Sequence, residues 1–113
     1  MTRLLIFFCA TLAFAQDPGQ QLFEKRCSGC HSLDRDKEGP RLAGVYGRAA
    51  ASVESFGYSS ALKKSRLTWS DENLDRWLSD PDKLVPGNDM TFSVPSAEDR
   101  RAILNYLKKI SGK

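Results

Sequence analysis

The sequence predicts a small all-α domain of about four helices joined by long loops. Two observations support this class: apolar residues recur at helical spacing behind capping residues, and no convincing strand alternation occurs. The 113 residues allow a single domain with only a small apolar core. Lysine and arginine number 17 against 14 acidic residues, a mild basic excess that does not indicate a nucleic-acid partner.

Residues 1–15 have the pattern of an export signal. Arg3 gives a short basic start, residues 4–15 are almost wholly apolar, and residues 13–15 supply an A-x-A cleavage motif. Because this apolar run is well short of the ~20 residues of a membrane-spanning helix, retention as an anchor is the less favoured alternative.

We therefore expect a cleaved secretory signal at residues 1–15 and a single domain at residues 16–113. Cys9 lies inside the signal and is expected to be removed with it. The mature protein is then exported, to the periplasm if the source is bacterial, without stable membrane insertion.

The first predicted helix covers residues 18–27. Asp17 is a good N-cap, and Pro18 suits the first helical position. Helical spacing places Phe23 and Cys27 on one side of this helix.

The end of this helix carries the stretch Cys27-Ser28-Gly29-Cys30-His31, which has the Cys-x-x-Cys-His pattern of c-type haem attachment. Two thiols three positions apart can each add to a haem vinyl group and form a thioether. The histidine that follows can then bind the iron through its imidazole. The predicted cofactor is one covalently attached haem c.

Three other interpretations of this pair of thiols remain open. A thioredoxin-like redox pair normally lies between strands and helices, which this sequence does not predict. A zinc site needs four ligands, but past residue 15 the cysteines and histidines are only Cys27, Cys30 and His31. A structural disulfide over so short a loop would add little stability.

Residues 28–56 show little periodicity and are punctuated by glycines and Pro40. A loop of this length counts against a compact domain unless something other than protein organises it, and a haem would do so. A short helical turn is expected at residues 59–64, with Ala61 and Leu62 facing inward.

Two further helices complete the chain. Ser70 caps the first, residues 71–80, which Pro81 ends before an extended loop. Ser96 opens the last helix, which continues close to the C-terminus. Their apolar stripes are Leu74, Trp77 and Leu78 in the first, and Ile103, Tyr106, Leu107 and Ile110 in the second.

The small core also predicts dependence on the cofactor. With about half of the mature chain in loops, ordering costs ~1–2 kcal/mol per backbone residue and has little buried side-chain area to offset it. We expect the chain to be loose or unfolded without haem.

The second iron ligand is predicted by elimination. His31 is the only histidine, and Met90 is the only methionine after the signal segment. A thioether is the natural sixth ligand of an electron-transfer haem. Met90 could instead fill a gap in the core, but its place in a loop after Pro86 and Gly87 favours the ligand.

The chain resembles a class I c-type cytochrome, a monohaem, His/Met-ligated family of bacterial periplasms and mitochondria. The resemblance covers nearly all of the mature chain and implies the small cytochrome c fold. Six motifs carry it in order: Cys27-Ser28-Gly29-Cys30-His31, Gly39-Pro40-Arg41-Leu42-Ala43-Gly44, Gly47-Arg48, Phe56-Gly57-Tyr58-Ser59-Ser60-Ala61, Leu67-Thr68-Trp69 and Pro86-Gly87-Asn88-Asp89-Met90-Thr91-Phe92.

The resemblance assigns roles to particular residues. The Pro40 carbonyl would accept the Nδ1 hydrogen of His31. The first and last helices would cross where Gly19 allows close approach, with Phe23 against Tyr106. Three side chains would hydrogen-bond the haem propionates: Arg48, Tyr58 and Trp69.

The same resemblance implies the surroundings of the methionine. Phe92 would lie against the haem near the sulfur of Met90. Trp77 stands where a tyrosine usually reaches toward that sulfur, and its indole N–H can still donate. Leu62 occupies a place often held by asparagine, which removes part of an internal polar network.

The implied function is outer-sphere, one-electron transfer between redox partners of a respiratory or dehydrogenase chain, with no catalytic residue. Partners would dock transiently on a monomer at the haem edge beside Cys27 and Cys30. Its charges are mixed: Arg26, Lys83, Asp82 and Asp89. A haem enzyme or ligand sensor, peroxidase-like after Met90 leaves the iron, and a thiol-disulfide exchanger are the alternatives.

Overall fold

The computed structural model describes residues 2–8 and 17–113. Within these ranges the chain forms five helices: α1 (Pro18–Arg26), α2 (Ser60–Ser65), α3 (Asp71–Ser79), α4 (Pro81–Leu84) and α5 (Ala97–Ile110). The described part contains no strand, only one isolated bridge between Ala49 and Thr68. The all-α prediction is confirmed. Cys9 and the cleavage motif at residues 13–15 lie outside the described residues.

Helix α1 begins and ends as its sequence predicts. The Asp17 carboxylate accepts from the backbone N–H of Gly19 at 2.8 Å and of Gln20 at 3.4 Å. These are two of the N–H groups that a helix leaves unpaired at its start. Cys27 caps the other end, and its N–H donates to the Phe23 carbonyl at 2.8 Å. The first cysteine therefore lies at the junction of the helix and the loop.

The predicted crossing of α1 and α5 is present. A Cβ added to Gly19 would lie 2.8 Å from the Ala102 carbonyl carbon, so only glycine permits this approach of the two backbones. One turn along, the rings of Phe23 and Tyr106 have centroids 5.4 Å apart. Both side chains are buried. This crossing fixes the direction in which α1 delivers the cysteines.

Helices α2 and α3 begin at serine caps. The Ser59 hydroxyl accepts from Leu62 N and the Ser70 hydroxyl from Asn73 N. Leu62 is buried and Ala61 packs against the core, as predicted for the short helix. The predicted stripe of α3 is buried as well: Leu74, Trp77 and Leu78.

Helix α4 begins at Pro81, where the sequence predicted the start of an extended loop. Asp80 ends α3 and also caps α4, since its carboxylate accepts from Lys83 N at 3.3 Å. Pro81 occupies the first position of this single turn. Four residues are too few to show helical periodicity, which is why the turn was missed. Among the residues described, no helix has both the length and the apolar character needed to cross a bilayer.

Candidate haem-binding site

A cavity of about 300 Å³ lies at the centre of the domain. Its walls include apolar side chains from α1, α2, α3 and α5 and from the loops between them. The sequence-predicted site residues all line this one cavity: Cys27, Cys30, His31, Pro40, Arg48, Tyr58, Trp69, Trp77, Met90 and Phe92. Residues separated by more than sixty positions in sequence are thus brought to a single site.

His31 is held by backbone on two sides. Its Nδ1 lies 2.8 Å from the Pro40 carbonyl oxygen, and because a carbonyl only accepts, Nδ1 carries the ring proton. Nε2 then keeps the lone pair with which an imidazole binds a metal. A Cβ on Gly39 would lie 2.7 Å from both ring nitrogens. Burial lowers the pKa of His31 although the Pro40 hydrogen bond opposes that shift, so burial favours the neutral ring that a metal requires.

The two cysteines bracket the turn that delivers this histidine. The N–H groups of Cys30 and His31 both donate to the Cys27 carbonyl, at 3.2 Å and 2.9 Å. Cys27 is half-buried, and burial raises the pKa of its thiol to about 11. Cys30 is exposed, and its thiol donates to a Glu38 carboxylate oxygen at 3.3 Å, which raises its pKa. Both sulfurs line the cavity as thiols, the form that carries the hydrogen for addition to a vinyl group.

Met90 lies in the loop after α4. Its sulfur accepts a hydrogen bond from the indole N–H of Trp77, with 3.2 Å between Nε1 and Sδ. The backbone N–H of Met90 donates to the Asn88 side chain at 2.7 Å. The expectation that the Trp77 indole can reach the sulfur is thus met by the geometry. A thioether that accepts one hydrogen bond retains a second lone pair on sulfur for a metal.

A buried guanidinium nitrogen marks another part of the cavity wall. Arg48 donates from Nη2 to the Arg41 carbonyl at 3.0 Å and from Nη1 to the Ala43 carbonyl at 3.5 Å. Its Nε is buried without a hydrogen-bond partner among the residues described. Nearby Tyr58 accepts from Val53 N, at 3.2 Å, so the hydrogen of its own hydroxyl remains available. An unpaired buried donor is costly, and an anionic group in the cavity would satisfy it.

These observations fit a haem. The cavity is apolar, one imidazole and one thioether line it as possible iron ligands, and two thiols stand beside the imidazole. The unpaired Arg48 nitrogen fits a propionate. Without the family resemblance, the sequence alone would assign Arg48 to the solvated surface.

Residues 16–111 match the protein family described as cytochrome c. The chain belongs to the cytochrome c family. It is 40% identical over 95 residues to cytochrome c of Euglena viridis, covering 81% of this chain and 93% of that protein. It is 41% identical over 103 residues to "Cytochrome c-type cyt cy" of Rhodobacter capsulatus, covering 89% of this chain but only 52% of that longer protein. Cytochrome cH from Methylobacterium extorquens has the same fold, with a TM-score of 0.78, 38% identity and coverage of 81% and 95%.

Membership of this family supplies the cofactor and the general function. A cytochrome c of this class carries one haem c that is bound covalently through cysteines, and it acts as an electron carrier. The five-helix fold around a central cavity is the fold of its structural neighbour.

Sequence reasoning missed three residues of this cytochrome c site. Gly39 lies flat against the imidazole, Glu38 accepts from the Cys30 thiol, and the Asn88 side chain binds the Met90 backbone. Gly39 stands in the Gly-Pro dipeptide of the motif that predicted Pro40, so a signal was available. Asn88 stands in the quoted motif that contains Met90, but the motif assigned it no role. Glu38 is a polar loop residue, and nothing in its sequence surroundings distinguishes it.

Proposed function

We propose that this cytochrome c is an exported carrier of single electrons whose haem is attached through Cys27 and Cys30 and ligated by His31 and Met90. The observation that carries the proposal is the meeting of the sole histidine and the sole methionine beyond residue 15 in one apolar cavity beside both thiols. When bound, the haem supplies an iron that alternates between two oxidation states.

The chain holds both ligands in place on its own. The Pro40 carbonyl fixes the tautomer and the plane of the His31 ring, and the Trp77 indole fixes the Met90 sulfur. If His31 and Met90 both bind the iron, the protein would leave no iron position free for a substrate. We therefore infer that the protein is not an enzyme and has no catalytic residue.

We assign the propionate end of the haem to three side chains that line the cavity: Arg48, Tyr58 and Trp69. The Arg48 Nε and the Tyr58 hydroxyl hydrogen are the donors best suited to it, because the first has no partner among the described residues and the second only accepts from Val53. Charge-assisted hydrogen bonds to a carboxylate are about twice as strong as neutral ones. Phe92, 40% exposed, covers the cavity near Met90.

Export to the periplasm is supported by the signal pattern of residues 1–15. The working partners are then redox proteins of a respiratory or dehydrogenase chain. We propose that they dock on a monomer, weakly and briefly, at the edge beside Cys27 and Cys30.

The charges near that edge favour a short encounter over strong steering. Arg26 and Asp89 both line the cavity and are exposed, one positive and one negative. Helix α4 adds one more exposed residue of each sign, Lys83 and Asp82. A surface of mixed sign gives little long-range attraction to a partner of one charge, which suits rapid release.

The optical spectrum of the haem-loaded protein tests the ligand assignment. The oxidised wild type should show the charge-transfer band of an iron–thioether bond, and Met90→Ala should lose it. Ser93→Ala, which changes an exposed residue of the same loop that does not line the cavity, is the control and should keep the band. A band that persists in Met90→Ala, or that is missing from the wild type, would overturn the assignment. Reduced wild type should also fail to bind carbon monoxide at neutral pH.

A further inference from the structure

The loop that carries Met90 is organised by one side chain, that of Asn88. Its Oδ1 accepts from Met90 N at 2.7 Å. Its Nδ2 donates to the Asp82 carboxylate at 3.1 Å and to the Val85 carbonyl at 2.9 Å. The amide oxygen therefore accepts from the residue that carries the sulfur, and the amide nitrogen donates to residues that precede Asn88 in the chain. We call these three hydrogen bonds the Asn88 clamp.

The anchoring points of the clamp are themselves fixed. Val85 is 5% exposed, and its N–H donates to the Pro81 carbonyl at 2.9 Å. Asp82 lies in α4, which shares its capping residue Asp80 with α3. A displacement of Met90 N would thus have to break a hydrogen bond that connects it to the α3–α4 unit.

The sulfur of Met90 is connected to the same unit from the other side. Trp77, in α3, is 8% exposed and donates its indole N–H to Met90 Sδ at 3.2 Å. The main chain of Met90 is therefore held through α4 and its side chain through α3. A loop residue with both ends fixed in this way has lost most of its freedom before any ligand is bound.

We propose that Asn88 is a positioning residue for Met90: its side chain holds the loop so that the Met90 sulfur lies where it would bind the iron. The inference rests on the proposed role of Met90 as ligand and deepens it. Preorganisation of a ligand by its supporting residues strengthens metal binding, because less ordering accompanies the bond. The clamp therefore disfavours release of Met90 and admission of an external ligand to the iron.

Cyanide binding to the oxidised, haem-loaded protein measures this directly, since cyanide binds only where Met90 has left. Asn88→Ala should bind cyanide about tenfold more tightly than the wild type, which corresponds to about 1.4 kcal/mol. It should also weaken the iron–thioether band. Asn73→Ala is the matched control, because its Nδ2 donates to the Thr68 carbonyl at 2.8 Å but the residue does not line the cavity. The control should bind cyanide as the wild type does.

Two further variants separate positioning from a general loss of structure. In a Met90→Ala background, Asn88→Ala should leave cyanide affinity unchanged. Met90, whose release from the iron Asn88→Ala is expected to ease, is absent there. The exchange Asp82→Asn with Asn88→Asp restores a donor–acceptor pair between these two positions and keeps an acceptor for Met90 N. It should recover part of the wild-type affinity, whereas Asn88→Asp alone places two carboxylates together and should not.

The outcomes distinguish the two proposals. An unchanged cyanide affinity in Asn88→Ala, or an equal change in the Met90→Ala background, would show that Asn88 does not position the ligand. Persistence of the thioether band in Met90→Ala would instead refute the ligand assignment itself. If Asn88→Ala fails to take up haem, the comparison of Asn88→Asp with the exchanged pair decides the matter by the same measurement.

Discussion

The histidine side of the cavity, residues 27–40, positions His31 with backbone groups, whereas the methionine side, residues 77–92, positions Met90 with side chains. His31 is positioned by the Pro40 carbonyl and by the bare Cα of Gly39. Met90 is positioned by the Trp77 indole and the Asn88 amide. Backbone positions follow from a local chain path, but side-chain positions require separate elements to be packed correctly. The histidine side should therefore be the more robust half of the site.

Removal of the haem should have the largest effect, because the haem would contact both sides of the cavity. Without haem, the apolar walls of the cavity of about 300 Å³ lose the group that they pack against, and the small core offers little other buried area. A typical domain is stable by only about 5–15 kcal/mol, so this loss is large in comparison. Cys27→Ala with Cys30→Ala, produced without haem, should be loose or unfolded by circular dichroism, in contrast to a cooperatively melting wild type.

Hydrogen exchange on the same haem-free protein sharpens the comparison. Amides in the crossing of α1 and α5 should retain the most protection, because Gly19 and Phe23 pack directly on α5. The N–H of Met90 should lose protection first, since a side chain is its acceptor. A haem-free chain that melts cooperatively at the wild-type temperature would contradict both expectations.

A smaller effect is expected from crowding the histidine side. Gly39→Ala places a methyl group about one bond length too close to the His31 ring, and the ring cannot move while Pro40 holds it. Overpacking of this kind costs ~1–3 kcal/mol, so denaturant unfolding of the haem-loaded protein should show a loss in that range. Gly57→Ala is the control, because no atom lies within 4 Å of its added Cβ. Equal losses for both alanines would argue against a fixed imidazole.

The difference between the two sides also explains what the sequence could predict. Cys27, Cys30 and His31 form a local motif whose spacing reflects one chemical requirement, and Pro40 follows from a short glycine–proline pattern. Met90 was reached by elimination, which depended on its being alone of its kind after the signal segment. Such reasoning predicts a ligand but not the residues that hold it, and so the role of Asn88 was missed.

Arg48 illustrates the same limit elsewhere in the cavity. Nothing in its sequence surroundings separates a surface arginine from one whose Nε is buried, because the burial is produced by loops that the cavity brings together. Helix α4 was missed because a single turn shows no helical periodicity, although Asp80 followed by Pro81 is a cap followed by a favoured first residue. Features that depend on tertiary packing were predicted only where family resemblance supplied them.

The smallest effect is expected on the methionine side, from the loss of one hydrogen bond. Trp77→Phe keeps an aromatic ring in α3 but removes the N–H that donates to Met90 Sδ. A sulfur freed from this donor gives more electron density to oxidised iron, so the reduction potential should fall. The expected decrease is about 20–60 mV, equivalent to about 0.5–1.4 kcal/mol for one electron. Tyr106→Phe is the control, because it removes a polar atom from a buried ring that does not line the cavity. The reduction potential of this variant should stay at the wild-type value. A rise in potential for Trp77→Phe, or an equal fall for both variants, would mean that the indole does not act through the sulfur.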